Sequence, residues 1–583
     1  MRQTNFPSLI VVLLTGGLGG CLASFPEEPT VRVIDAAPFE EADALVSFDA
    51  FARPDAAPGP ADAFVAPDMF MFPDRRLPDA APPPPDAEPV PDMAPMIDAS
   101  PVGPPPPNPD DYQTVGGCAL EVSAAQGVLA NDNAPAGSEV VLVDGPDGGE
   151  LILRPDGSFK FQAAQIERTS FTYQVTLNGV RSESTTVSLS PIEAVVVNTE
   201  IDEEIDEEED DKGEARCSLR RALQTIADPE VQGCNAPEGV SLIVFADHEM
   251  RISIDPLVGP LVPEAEASII GCGHGNTVLS GDERGRIFEV PDGVSLTLNT
   301  LTLTRGLGLH GGGAAWVEGA LVVEGVEFVD HVGQGDHGRL GEERGGNGGG
   351  GGGGALGGAV HVAEGGSLTA RAGAEPCVFR GNRVIGGDGG HAQENNGGRD
   401  GDGGDGGGPD PGEGGRGRGD REGEDGGDAS GGGGGGGTRQ GTGTGGDGGF
   451  AGGGGGGGAQ TQGGDGAPPG AGGFAGGDGG LGGCSASGPG GGGGALGGAV
   501  YNGGGEVQLE ECVITDNGAQ GGPPGEEVFG GACGAPGEPG LGIGGAVFTR
   551  NGETRIVRPL FMNNGADVGA DDFVCGEGDP PCP

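Results

Sequence analysis

Positive charge and aromatic rings are the two things this chain of 583 residues has little of. Lys and Arg together number 30 against 88 Asp and Glu, for a formal net charge of −58. Such a chain repels a phosphate backbone, which excludes nucleic acid as a partner. One Trp, three Tyr and 21 Phe make the chain 4% aromatic, so any core is aliphatic and modest. The apolar run at 9–14 is too short to cross a bilayer. No Cys-x-x-Cys pair occurs, which removes the usual structural zinc site. No glycine-rich loop ends in Lys followed by Ser or Thr, so a phosphate-binding loop of that kind is excluded. His331 and His337 each follow an Asp, but their spacing matches no closed metal site. No Ser, His and Asp arrangement supports nucleophilic catalysis.

Glycine and proline are abundant instead, 131 and 47 residues, a composition that signals low complexity. Eleven cysteines in an acidic, loop-rich chain fit an oxidising compartment. One phrase recurs: Gly312-Gly313-Ala314, Gly357-Gly358-Ala359-Val360, Gly497-Gly498-Ala499-Val500 and Gly544-Gly545-Ala546-Val547. Each opens a short alternating apolar run, and three of these runs close on Asn382, Asn517 and Asn563. The phrases start at 312, 357, 497 and 544, intervals of 45, 140 and 47 residues. A period in the mid-forties suits two turns of a β-solenoid at roughly 20–25 residues each. Alternation places Val294, Leu296 and Leu298 on one inward face. Phe328, Val378, Phe379, Val513, Ile514 and Phe561 are further interior candidates. Only one of the adjacent Val513 and Ile514 can point inward. Ile514 precedes Asn517 as Phe379 precedes Asn382, which assigns those two to one column. The three Asn are expected at the turns, where Asn tolerates the left-handed conformation and builds side-chain ladders.

Read in order, the chain divides into seven segments. Residues 1–21 carry Arg2, an apolar stretch and Leu18-Gly19-Gly20-Cys21, which resembles the bacterial lipobox. That resemblance implies lipidation of Cys21 and a location in the cell envelope. With Leu22 after the Cys, it implies the outer membrane. Residues 22–112 repeat Pro, Asp and Ala and read as a disordered, extended spacer. Residues 113–191 read as all-β, with a turn at Pro155-Asp156-Gly157. Gly127-Val128-Leu129-Ala130-Asn131-Asp132 and Ser170-Phe171-Thr172-Tyr173 make this segment similar to the Ig-like or cadherin-like β-sandwich modules of bacterial surface proteins. By that analogy Asn131 and Asp132 would be Ca²⁺ ligands. Read from the residues alone, they form a plain turn. No other cofactor is implied. Residues 192–216, with the acidic run at 200–212, read as a solvated loop.

Cys217-Ser218-Leu219-Arg220-Arg221-Ala222-Leu223 has helical spacing, with Leu219, Ala222, Leu223 and Ile226 on one face. It resembles the CSLREA motif that opens a right-handed parallel β-helix of the pectin-lyase-like type in bacterial surface proteins, with Arg221 where Glu is usual. The further upstream Cys of that family is missing, and Cys217 has Cys234 as its alternative partner. Residues 217–385 then carry the helical cap and the first part of the β-helix, and 495–583 its last turns and a tail. Residues 386–494 are mostly Gly and lack apolar periodicity. They read as a disordered loop extruded from one turn, with a packed bundle of polyglycine helices as the alternative. The Ca²⁺-binding nonapeptide of RTX proteins does not recur there.

The expected fold class is therefore mainly β: a right-handed parallel β-helix preceded by a small β-sandwich, with long disordered Pro-rich and Gly-rich segments. The expected function is a non-enzymatic, lipid-anchored surface protein serving adhesion or envelope structure. Its partners would be the membrane, through the anchor, and a surface polysaccharide or another cell-surface protein. The alternative is a polysaccharide lyase or hydrolase on the same fold. Such an enzyme needs clustered carboxylates, or Arg with Ca²⁺, whereas Asp330, Arg380, Asp516 and Asp571 are scattered along the chain. Replacing Cys21 with Ser is expected to move the protein out of the membrane fraction, and unchanged fractionation would remove the anchor from this reading.

Overall fold

The computed structural model describes residues 103–202, 216–231, 233–341, 347–392, 402–414, 422–437, 443–459, 466–483, 486–527, 534–569 and 571–575. Cys21, the spacer up to residue 102 and most of the acidic run lie outside them. Within the described residues the regular structure is mainly β, with one nine-residue α-helix and many parallel sheets.

The first part is a β-sandwich. A five-stranded sheet holds Asp110–Thr114, Glu139–Asp144, Thr169–Leu177, Val180–Arg181 and Thr185–Pro191. A three-stranded sheet holds Leu120–Val122, Glu150–Leu153 and Phe159–Gln162. Alternation sends Phe159, Phe161, Phe171, Tyr173, Val175, Val187 and Leu189 into one core. Gly157 takes φ 86° in the expected Pro-Asp-Gly turn, and Asp156 Oδ1 accepts the Ser158 N–H at 3.0 Å. The first strand begins at Asp110, earlier than the boundary at 113 read from the sequence, because Pro109 and its neighbours already bond to the sandwich.

A second correction concerns residues 192–216. Val195–Val197 is not loop but the edge strand of an eight-stranded parallel sheet. Helix α1, Leu219–Ala227, packs on that edge with Leu219, Ala222 and Leu223 buried, and Ser218 caps it by accepting the Arg221 N–H at 3.2 Å. Asp202, part of the run read as solvated, is buried. It takes both arms of the Arg220 guanidinium at 2.9 and 2.8 Å, while Arg220 also donates to the Gly259 and Pro260 carbonyls. Disulfides join Cys217 to Cys234 and Cys118 to Cys272, the latter tying the sandwich to the parallel sheets.

Successive coils then stack in register. Ser295 pairs with Ala320, Ala320 with Ser367, Ser367 with Glu506 and Glu506 with Glu553. Each interval in the mid-forties is thus one coil, not two. The extra length is an excursion: after Val332–Gln334, Arg383–Ile385 and Gly518–Gln520 the chain leaves the coil and returns at Ala355–Leu356, Ala495–Leu496 and Gly542–Ile543. The repeated phrase marks the return. Its first glycine, at 312, 357, 497 and 544, has φ 61°, 78°, 71° and 67°. Its second has no room for a side chain: a Cβ on Gly358 would sit 2.0 Å from the Gly498 carbonyl oxygen. Phe379 stacks on Phe328 at 4.5 Å and pairs in register with Ile514; all three are fully buried. Val378 and Val513 are half-buried on the opposite face, so Val378 is not interior. Phe561 is half-buried at the last coil. Cys377 and Cys512, buried neighbours in adjacent coils, are bridged across 135 residues.

The Asn ladder exists but is displaced by one residue at its last member. Asn382 Nδ2 donates to Asn517 Oδ1 at 2.8 Å, and Asn517 Nδ2 donates to Asn564 Oδ1 at 3.0 Å. Asn563 instead takes the left-handed conformation, φ 52°, stacked above Asp516 at φ 57°. The two properties of Asn are divided between adjacent columns.

The glycine tract is ordered where it is described, which corrects the expectation of a disordered loop. Its runs are extended and bond to several neighbours with a period of three. Gly348, Gly351 and Gly354 donate to the carbonyls of Gly435, Gly432 and Ala429. Gly349, Gly352 and Ala355 donate to Gly488, Gly491 and Gly494, and Gly350 and Gly353 donate to Arg339 and Asp336. Three residues per turn and no bonds within a run is the geometry of a polyproline-type helix. Added Cβ atoms on Gly350, Gly351 and Gly491 would lie 1.9, 1.9 and 2.0 Å from carbonyl oxygens of neighbouring runs. Asp side chains finish part of the edge: Asp425 accepts the Asp447 N–H and Asp447 the Ala471 N–H, at 2.8 and 2.7 Å. The bundle also takes in 335–341, 347–354, 521–527 and 534–541, so it grows from three coils, not from one insertion at 386–494.

Gly351→Ala is expected to lower stability by about 1–3 kcal/mol or more, because its methyl meets backbone and not a movable side chain. Gly365→Ala, at φ 82° with nothing near its Cβ, should cost only about 1 kcal/mol of backbone strain. Chemical denaturation of the two variants checks the difference.

Candidate functional site

The six-stranded parallel sheet runs through Phe288–Val290, Ala315–Val317, Val360–Val362, Val500–Asn502, Val547–Thr549 and Phe573–Cys575. The flanking residues of its strands point inward and the middle residue points outward. Register therefore stacks Glu289, Trp316, His361, Tyr501, Phe548 and Val574 in one external column. Trp316 and His361 lie parallel at 3.8 Å, His361 and Tyr501 are 5.0 Å apart, and Tyr501 and Phe548 are 6.0 Å apart. The glycine bundle covers the Tyr501–Phe548 end with Ala429, Ala451 and Ala475. The Trp316 end is open.

Two adjoining cavities share Trp316 and His310 and form one groove along this column. The larger, about 760 Å³, is lined by Arg284, Arg286, Glu289, Leu309 and Glu318 among others. The smaller, about 330 Å³, is lined by His361, Glu364, Asp428, Tyr501 and Arg550 among others and lies against the bundle. Arg286 is its best-fixed cation. It donates to the carbonyls of Gly312, Gly311 and Leu309 at 3.0, 3.0 and 3.2 Å and to Glu289 at 2.5 Å, and its guanidinium is 5.2 Å from the Trp316 ring centre. Burial pulls its pKa down, and Glu289 beside it acts the other way. With His361 on one side and Arg286 near the ring, Trp316 offers the groove mainly its edge, and its Nε1–H donates to Glu318 at 3.3 Å. His310 stands in the left-handed region, φ 64°, with Nδ1 buried and without a hydrogen-bond partner. Burial lowers its pKa, while Asp336, 3.6 Å away, opposes the shift. Arg550 lies 3.7 Å over Phe450 and bonds Asp428 at 2.9 Å, fastening bundle to coil beside the groove.

None of the residues singled out in the sequence lines this groove. Asn131 and Asp132 hold the incoming chain on the sandwich: Asn131 Nδ2 donates to the Pro109 carbonyl at 3.2 Å, and Asp132 accepts the Asn108 N–H at 2.6 Å. Among the described residues, no three His, Cys, Asp or Glu side chains are grouped to hold a metal ion. His331 is fully buried, accepting the Gly306 N–H at 2.9 Å and donating to the Leu303 carbonyl at 3.0 Å, whereas His337 is exposed. Cys217 and Cys234 are bridged beside α1. The groove residues did leave a trace: Trp316, His361, Tyr501 and Phe548 each stand three positions after the second glycine of the repeated phrase. Comparison with protein-family models, curated proteins and solved structures finds no match.

Burial drives the pKa values of His331 and His361 down to about 3, with a single carbonyl bond opposing in each case. Both rings stay neutral in the fold and take up protons on unfolding, so the coil loses stability as pH falls from the ordinary imidazole value of 6.5 towards 3. His361→Phe keeps a ring in the stack and removes one titration. It should recover up to roughly 3 kcal/mol of the loss between neutral pH and about pH 4, measured by denaturation at both values.

Proposed function

We propose that this chain is a non-enzymatic, lipid-anchored protein of the bacterial outer membrane, adhering through the Trp316 groove to a surface polysaccharide or another cell-surface protein. The observation that carries this reading is the groove itself, a preformed polar and apolar trough on a rigid stack of coils. The parallel, in-register coils and the helix at Leu219–Ala227 support a right-handed parallel β-helix of the pectin-lyase-like type, as the CSLREA resemblance implies. In this reading Cys21 carries the lipid, 22–112 is the spacer, and the Ig-like sandwich is the stalk. Three disulfides among the described residues fit the oxidising side of the membrane.

A polysaccharide lyase or hydrolase is the second reading. In its favour, Glu289 and Glu318 both line the larger cavity of the groove, and glycosidic hydrolysis ordinarily uses a pair of carboxylates. Each is already engaged, by Arg286 and by the Trp316 N–H.

A glycan array probed with the whole protein separates the two. The adhesive reading expects retention of an intact glycan and at least about tenfold weaker retention by Trp316→Ala or Arg284→Glu. Shortened or unsaturated sugar products would establish the enzyme. Retention unaffected by both variants would remove the groove from either account.

A further inference from the structure

The smaller cavity of the groove holds acceptors that lack donors. His361 takes the outward position of its strand, lines this cavity and is 5% exposed. Its Nδ1 lies 3.2 Å from the Leu356 carbonyl, and burial keeps the ring neutral. A neutral imidazole carries one hydrogen and a carbonyl only accepts, so that hydrogen is on Nδ1. Nε2, the nitrogen farther from the backbone, keeps a lone pair and has no bond among the described residues. The ring is held between Trp316 at 3.8 Å and Tyr501 at 5.0 Å, so Nε2 does not turn away to find a partner.

Glu364 lines the same cavity. It is exposed, and its carboxylate has no ion pair or hydrogen bond among the described residues. Asp428 lines the cavity too, but both arms of the Arg550 guanidinium hold it, at 2.9 and 3.3 Å. That pairing also commits Arg550. One lone pair and one carboxylate are left open, and both call for a hydrogen.

The count of hydrogens distinguishes the ligands that could answer. A sugar hydroxyl brings one hydrogen and no charge. A uronate would bring a second negative charge to Glu364. A protonated amine brings three hydrogens and a positive charge, which suits both acceptors. Leu356, Ala429 and Tyr501 supply an apolar wall for the carbon face of a sugar ring, and the volume of about 330 Å³ lies in the small-ligand range. The net charge of −58 draws cations to the molecule as a whole.

We propose that the smaller cavity takes an amino-sugar residue of a polysaccharide, with its ammonium group between the His361 ring and the Glu364 carboxylate. This assignment rests on the adhesive reading of the groove and narrows its ligand to a glycan with unacetylated amines.

Calorimetric titration of the whole protein tests it, at about pH 6 to keep the amine protonated and in roughly 0.15 M salt to screen diffuse attraction. The probes are three trimers of one linkage, made of glucosamine, N-acetylglucosamine and glucose. The glucosamine trimer should bind at least about tenfold more tightly than the other two. Glu364→Gln should weaken that binding about tenfold, and so should His361→Phe, which keeps a ring in the stack. Glu506→Gln, which removes an exposed carboxylate from the eight-stranded sheet, should leave it unchanged. An equal loss in Glu506→Gln would mean attraction by net charge alone and overturn the site. Equal affinity for the glucose trimer, still weakened by Trp316→Ala, would overturn the ammonium assignment while the groove reading stands. Failure of every trimer to bind would also overturn the assignment, and the glycan array would then judge the groove by itself. Trilysine bound more tightly than the glucosamine trimer, with the same loss in Glu364→Gln, would transfer the ammonium to a protein partner and overturn the sugar.

Discussion

Backbone amides meeting backbone carbonyls at a separation that leaves no place for a Cβ are what the rest of this structure depends on. The contact appears twice. In the coil it is the second glycine of each returning phrase, as at Gly498, where a Cβ would lie 1.9 Å from the Gly545 carbonyl oxygen. In the bundle it is nearly every residue of runs such as 348–354 and 488–494. Ordering glycine costs more backbone entropy than ordering any other residue. What offsets the cost is that consecutive amides in a run find partners on different neighbours, so buried donors and acceptors are satisfied without side chains.

The coil makes that arrangement possible. Three excursions leave and return at equivalent positions, so the stack sets the spacing and phase of the glycine runs. The bundle in turn rests on the coil. Ala429, Ala451 and Ala475, all at positive φ, turn their runs against Tyr501 and Phe548, and Arg550 bonds Asp428 across the seam. The groove lies where bundle and sheet meet, so its smaller cavity exists only because the glycine tract is ordered. The buried histidines of the coil make the stack weaken towards acid.

Much of the coil was legible. Period-two alternation located its strands, and the offset from the closing Asn paired Ile514 with Phe379. What misled was treating chain length as path length around the coil. A 47-residue interval reads as two turns unless the excursion is recognised, and glycine runs have no apolar periodicity by which to recognise it. The tract was judged by its inability to bury apolar surface, which is true. Its order comes from backbone hydrogen bonds, which composition does not display. The shift from Asn563 to Asn564 arose because left-handed turn and ladder are adjacent columns, and at that coil both positions are Asn. The aromatic column of the groove follows the repeated phrase at a constant offset, but alternation marks only the inward positions of a strand and says nothing of stacking between outward ones. Pairings that depend on coil neighbours, such as Cys118 with Cys272, follow only from the three-dimensional stack.

Among its described residues the glycine tract is a hydrogen-bonded solid built on the coil. Native-state amide exchange of peptides covering 347–354, 429–437 and 488–494 tests it most directly. The account predicts slow exchange in all three, comparable to the strands Ser367–Arg371 and Glu506–Glu510 that flank the tract. Exchange of these peptides at the rate of an unstructured chain, with the flanking strands still protected, would contradict it.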